Sequence, residues 1–379
     1  MDIAAAWNAA RTLSRVYRPQ LRFCVRMTVA ALAAFAVAQV LSIPLHGVWA
    51  VLTALVVTQV SVGGSVRATV DYLTGTLGGA IYASAVGVLI PHETALSLAG
   101  VLALTVAPLA GAAALSPRFR VAPFTAAMVL LLSSELGGGP VESALFRTLE
   151  VAIGGAVAVA VALWVFPERA HGLGLAAAVR ILEQLARGLP VLLSGCTRKT
   201  DPAEVQRIQD DSGRGIAGFQ ALAEEARRER LYKLASEPDS GPLSRTLLRL
   251  RHDLVMIGRA GIVPLPDAVA ARLGPPLSRL GASASEYLRA SAAALAARRP
   301  PPLLGETEAA LAAFEREIEA LRQEGLTRTL TSSEVEHLFA LGFVLEQLHQ
   351  HFADLGRCIE EWAQPLRADK SSQAGLRSA

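Results

Sequence analysis

The sequence predicts an all-α, polytopic membrane protein with about six transmembrane helices followed by a cytoplasmic helical bundle. Three observations predict it. The first is a set of long uncharged stretches: no Asp, Glu, Lys or Arg occurs from Met27 to Val66, from Tyr72 to Pro91 or from Thr94 to Pro117. A bilayer core about 30 Å thick needs roughly 20 apolar residues per helix, so the first stretch alone is long enough for two spans. The second is uneven charge. Residues 1–167 carry nine Arg, no Lys and six acidic residues, whereas residues 168–379 carry 27 basic and 27 acidic ones. An apolar half is therefore joined to a charge-balanced half. The third is periodicity: beyond Pro167 apolar residues recur at intervals of three and four, and no alternating strand pattern occurs.

Taken in order, residues 1–21 form an N-terminal segment in which Trp7, Leu13, Val16 and Tyr17 lie among arginines. That pattern suits a helix resting on the inner membrane surface. An Arg-rich leader, an apolar run and Ala-Val-Ala also describe a cleavable signal. Here the leader exceeds 20 residues and the apolar run continues into further spans, so the first helix is expected to be retained. Residues 22–167 make the transmembrane domain. Spans 1 and 2 share the Met27–Val66 stretch, with a turn at Ser42-Ile43-Pro44-Leu45-His46-Gly47. Spans 3 and 4 are Tyr72–Pro91 and Thr94–Pro117; span 5, Val121–Leu136, is the shortest and precedes Gly137-Gly138-Gly139-Pro140. Val151–Pro167 closes the set, led in by Arg147 and Glu150.

Arginine placement orients the domain. Arg11, Arg15, Arg18, Arg22 and Arg26 precede span 1, Arg67 lies between spans 2 and 3, Arg118 and Arg120 between spans 4 and 5, and Arg169 after span 6. The alternate turns hold His46, then His92-Glu93, then Glu135 and Glu142. Both termini are thus expected in the cytoplasm by the positive-inside rule. Arg147 is the exception, falling near the outer end of span 6.

An internal repeat runs through this half. Gly78–Pro91 (GGAIYASAVGVLIP) and Gly154–Pro167 (GGAVAVAVALWVFP) align at an offset of 76, which also sets span 1 over span 4 and span 2 roughly over span 5. Each unit has an odd number of spans, so the copies insert in opposite senses. Such 3+3 inverted repeats build secondary transporters, with substrate near the midplane. Gly75, Gly79, Ala83 and Gly87, like Gly154, Ala158 and Ala162, recur every four residues, and Gly155 adjoins the second stripe. Small residues at that spacing let helix backbones approach closely, so helix packing is their expected role.

Residues 168–365 read as a cytoplasmic helical domain and 366–379 as a disordered tail. The expected helices are Glu168–Leu193, Pro202–Leu234, Leu243–Ile262, Asp267–Ala297, Glu306–Glu324 and Ser333–Trp362. Leu247, Leu250, Leu254 and Ile257, then Leu338, Leu341, Leu345, Leu348 and Leu355, mark the buried faces. Ser333 with Glu336 offers a capping box. His252-Asp253 and the late His337, His349 and His351 match no metal-ligand spacing, and no nucleophile elbow or phosphate loop occurs, so no enzyme, no metal and no cofactor is expected. The net charge of +3 with no basic run gives no sign of nucleic acid. Cys24, Cys196 and Cys358 are far apart and read as free thiols.

Ionisable groups inside spans are costly and mark functional candidates. Arg26 opens span 1 and can meet an anion or snorkel to the headgroups. Arg67 with Asp71, and Arg147 with Glu150, are four and three residues apart; each pair can simply neutralise its own helix. Alternatively an Arg binds a carboxylate while Asp71 or Glu150 takes the coupling proton. Trp49 can stack an aromatic ring or anchor span 2 at the outer interface.

The stretch Leu41–Ser61, with Trp49, Ala50 and Thr53, followed by Gly75, Thr76, Gly79 and Ala80, resembles the fusaric acid resistance (FUSC) and aromatic acid exporter family, with its Trp-Ala-x-x-Thr and Gly-Thr-x-x-Gly-Ala elements. The plant aluminium-activated malate transporters are similar at greater distance. The resemblance covers residues 22–167, and Arg147–Pro167 is similar to the family's last span. One departure stands out: the family's Arg three residues before Gly-Thr is Tyr72 here. The resemblance implies a bacterial inner-membrane efflux transporter of small organic anions, aromatic carboxylates among them, driven by protons. An anion channel or a membrane-anchored scaffold or sensor are the alternatives. On this reading Arg147, Trp49, Arg26 and Tyr72 contact substrate. Many family members carry two such halves; this chain carries one, which implies a homodimer. A periplasmic adaptor is the further partner such an exporter would use.

Overall fold

The computed structural model describes residues 18–43, 47–91, 94–135, 139–231, 237–262 and 264–364. Most of the expected surface segment (1–21), the expected tail (366–379), His46, His92-Glu93 and Gly137-Gly138 lie outside the described residues. Every described element is helical and no strand occurs among them. The chain divides into two compact units, Met1–Arg169 and Ala170–Ala379.

Among the described residues the first unit holds six α-helices: α1 (Arg18–Val40), α2 (Val48–Val57), α3 (Val62–Leu89), α4 (Ala95–Leu115), α5 (Ala122–Glu135) and α6 (Pro140–Trp164), with a 3-10 turn at Pro117–Phe119. Four of them, α1, α3, α4 and α6, are long and apolar enough to cross a membrane. The short ones are not: at 1.5 Å per residue α2 reaches about 15 Å and α5 about 21 Å, against a core of about 30 Å. The six-span expectation thus meets four full-length helices and two short ones. The order is long, short, long, repeated.

The expected boundary between spans 2 and 3 is corrected. Helix α2 stops at Val57, and α3 begins at Val62, ten residues before the expected Tyr72, so Arg67 lies within α3 rather than in a turn. The break at 58–61 works because its backbone groups find partners. Ser61 caps α3 by accepting from Gly64 N (2.9 Å), Ser65 Oγ accepts from Gln59 N (2.9 Å), and Val62 N donates to Glu168 O (3.0 Å). Arg26, only 1% exposed, donates to Gln59 O (3.1 Å) and Val60 O (2.7 Å), and at the end of α6 to Val165 O (3.2 Å) and Phe166 O. Irregular backbone at membrane depth is tolerable only when its polar groups are satisfied in this way. The break was not expected because no charged residue occurs from Met27 to Val66, although the polar Thr58, Gln59 and Ser61 stand at it.

The repeat is legible in the helix ends. Starts at Arg18, Val48 and Val62 recur at Ala95, Ala122 and Pro140, and ends at Val40, Val57 and Leu89 recur at Leu115, Glu135 and Trp164, each within two residues of the offset of 76. The packing pattern is also unchanged when the two triplets are exchanged. Helix α1 packs on α2 and α6, as α4 packs on α5 and α3; α3 packs on α5 as α6 packs on α2; and α3 packs on α6. Each triplet is therefore completed by the other, which is the arrangement of a quasi-two-fold axis between α3 and α6. Glycines permit the closest crossings. A Cβ on Gly79 would overlap the Ala122 carbonyl and one on Gly154 the Ala50 carbonyl, while Gly155 faces Thr69 and Gly75 the backbone at Arg118. Helix packing is what the structure assigns to all four.

The second unit comprises α7 (Ala170–Gly195), α8 (Pro202–Leu231), α9 (Ser240–Ala260), α10 (Asp267–Ala297), α11 (Gly305–Gln323) and α12 (Ser332–Ala363). Helix α7 lies at its centre against α8, α9 and α10, and α12 packs on α9, α10 and α11. All nine residues expected on the buried faces, from Leu247 to Leu355, are buried in one core. The capping box is corrected by two residues: Thr331 caps α12 and Glu334 reaches back to Thr331 N (2.8 Å).

Candidate functional site

The candidate site lies in the first unit, where α2, α3, α5 and α6 meet. Arg147 enters from the second turn of α6 and is 5% exposed. Its guanidinium carbon stands 4.5 Å from the Trp49 ring centre and 5.8 Å from that of Phe124, and the two rings meet edge to face at 6.1 Å. A desolvated cation over aromatic faces is held by the ring quadrupoles. Nη2 donates to the Tyr72 hydroxyl (3.3 Å). Nε and Nη1 are buried and meet no hydrogen-bond partner among the described residues. A guanidinium has five N–H groups, so the three on Nε and Nη1 are unspent. Buried donors left in that state cost free energy until an acceptor arrives.

Glu150 is 4% exposed and one turn along α6 from Arg147. The expected pairing of these two is not made; the guanidinium goes to Tyr72 and the rings instead. The other expected pair is made. Asp71 forms ion pairs with Arg67 (3.4 Å) and Arg118 (3.7 Å), so its carboxylate is engaged there and not with Arg147. Arg26 is placed elsewhere as well. Four of its N–H groups go to backbone carbonyls at Val165, Phe166, Gln59 and Val60, which makes it a brace for two helix ends rather than an open anion contact. Arg147 and Val165 are 18 residues apart on and just past one helix, about 27 Å, so the two arginines cannot share a ligand.

The structure thus brings together Arg147, Trp49 and Tyr72 from the expected set and adds Phe124. Nothing in its local sequence singles out Phe124, but it lies 75 residues after Trp49, close to the repeat offset, and that spacing is the signal that finds it. Thr53, Thr76 and Thr125 were also not singled out as polar contacts. Their hydroxyls are buried without a partner among the described residues, and each is within about a turn of Trp49, Tyr72 or Phe124 along its own helix. The assembly offers unspent donors, hydroxyls and aromatic faces together, which is the chemistry for holding an organic anion.

No group of three or more His, Cys, Asp or Glu positioned to hold a metal occurs among the described residues. His351 Nδ1 pairs with the buried Asp253 at 2.6 Å, and His349 Nε2 with Glu308 at 3.4 Å. Burial pushes the Asp253 carboxyl above its ordinary value, opposed by His351. Burial also pushes the Cys196 thiol up to about 12, which keeps it protonated and inert.

Among known proteins, residues 32–161 match the family described as fusaric acid resistance protein-like. The matched residues fall wholly within the first unit and include Trp49, Tyr72, Phe124 and Arg147. No curated protein matches the chain.

Proposed function

We propose that this chain, whose membrane unit belongs to the fusaric acid resistance protein-like family, exports small organic anions, aromatic carboxylates in particular, across a bacterial inner membrane. The observation that carries the reading is Arg147, a buried guanidinium with unspent N–H groups set in an aromatic box between two quasi-equivalent helix triplets. Its charge and donors suit a carboxylate, and Trp49 and Phe124 suit an aromatic ring beside it. Glu150, buried one turn away, is the group proposed to take the coupling proton when the anion is bound. Two copies would bring two such halves together as a homodimer, and a periplasmic adaptor would extend the route outward.

Full-length protein in liposomes loaded with benzoate tests this directly. A pH difference across the bilayer should speed benzoate efflux, and Arg147→Gln should reduce it at least about tenfold, equivalent to about 1.4 kcal/mol or more. Benzoate current that persists without any pH difference would favour the channel alternative. No benzoate flux under any gradient would remove the transport reading.

A further inference from the structure

Tyr72 and Arg147 occupy matching places in the two triplets. Each stands seven residues, about two turns, before the glycine at which its helix crosses the other triplet's short helix, Gly79 in α3 and Gly154 in α6. Trp49 and Phe124 match too, as the second residue of α2 and the third of α5. Positions related by a two-fold axis touch one another only beside that axis. Tyr72 touches Arg147 at 3.3 Å and Trp49 meets Phe124 at 6.1 Å, so both pairs line it. The axis therefore has two equivalent places for a cation, and only one of them holds a charge.

We propose that the pair at positions 72 and 147 counts the carboxylates of the ligand: with one guanidinium opposite one phenol, the site takes a monocarboxylate and rejects a dicarboxylate, and Tyr72 sets that number. The inference rests on Arg147 being the anion contact. A second carboxylate at the axis would face the Tyr72 hydroxyl in place of a cation, near the buried Glu150. An uncompensated charge in such a place is strongly disfavoured, whereas a hydroxyl suffices for the neutral part of a ligand. Tyr72 also fixes Nη2, leaving Nη1 and Nε to the single carboxylate.

Benzene-1,3-dicarboxylate and its monomethyl ester have nearly the same shape and differ by one charge, which makes them suitable probes. In liposomes holding the native full-length protein, the monoester should compete with labelled benzoate at least about tenfold better than the diacid. Equal competition by the two would overturn the proposal without any variant. Tyr72→Arg should move the preference toward the diacid by a similar factor. The exchange Tyr72→Arg with Arg147→Tyr keeps one cation at the equivalent place, so it should restore benzoate efflux that Arg147→Tyr alone loses. A folded exchange variant with no efflux, or Tyr72→Arg with an unmoved preference, sinks the counting role while leaving Arg147 as the anion contact. Normal efflux by Arg147→Tyr alone removes the underlying reading instead.

Discussion

Arg26 and Arg147 are both buried in an apolar unit, and they differ in what their N–H groups meet. Arg26 closes a network with four backbone carbonyls, whereas Arg147 keeps Nε and Nη1 unspent. The first pattern braces two helix ends, and on the proposed reading the second receives the anion. Arg26→Met should therefore damage folding: each carbonyl left buried without a donor costs about 1–3 kcal/mol. Expected is a large loss of folded protein in membranes, partly recovered by Arg26→Lys; a normal yield and melting temperature for Arg26→Met would contradict the bracing role. Arg147 should behave oppositely. Arg147→Gln should fold and assemble normally while losing export, and Arg147→Lys should regain only part, because Lys keeps the charge without the planar fork. If Arg147→Gln fails to accumulate, its contacts with Trp49 and Tyr72 are structural after all.

At the scale of elements, the crossing glycines carry the fold of the first unit. Gly79→Val and Gly154→Val would each push a side chain into a backbone carbonyl of the opposite triplet, at Ala122 and Ala50 respectively, whereas Gly100→Val meets nothing within 4 Å. Overpacking of this kind costs about 1–3 kcal/mol, so the first two should lower the melting temperature and the third should not. Equal effects from all three would mean that helix propensity, not crossing distance, governs the loss. In the second unit, α9 and α12 are joined by Asp253 and His351 (2.6 Å), with His252 beside Asp253 and Asp354 one turn beyond His351. An acid whose pKa is raised on folding holds its proton more tightly in the folded state. It therefore withdraws stability as pH climbs from about 4, the unfolded value, through the raised one. Asp253→Asn should make the fall in melting temperature between pH 4 and 7 shallower; an unaltered slope would assign that fall to other groups.

These elements show what the sequence carried. Periodicity placed every helix of the second unit, because one leucine-lined face leaves a clear pattern, and Asp267–Ala297 has the expected ends. The Gly-Gly-Ala repeat marked the two closest helix crossings, at Gly79 and Gly154. The break after Val57 left only the polar Thr58, Gln59 and Ser61 as a trace, because the brace that supports it comes from Arg26, distant in sequence. Phe124 was equally hidden until its place opposite Trp49 was known.

For the whole molecule, four long apolar helices among the described residues are interleaved with two that are too short to cross a membrane as straight helices. Helix α2 spans about 15 Å, about half of a core of about 30 Å, and the chain bends at 60–61 before α3 begins at Val62. Contacts within the unit gather the helix ends that bear Arg22, Arg67 and Arg118. Arg22 at the start of α1 pairs with Glu168 beyond α6 (3.0 Å), and Arg118 beyond α4 pairs with Asp71 beside Arg67 near the start of α3 (3.7 Å). At the other side Ser84, late in α3, donates to Pro140 O at the start of α6 (3.2 Å). On the positive-inside rule the arginine side is expected to face the cytoplasm. Cysteine labelling decides it. Cys24 is exposed while Cys196 and Cys358 are buried, so a Cys24→Ser background leaves little reactive thiol. In that background Gly139→Cys should react with an impermeant maleimide from outside intact cells. Arg120→Cys should react only after the membrane is opened, and labelling of Arg120→Cys from outside would invert the topology and turn the proposed export path around.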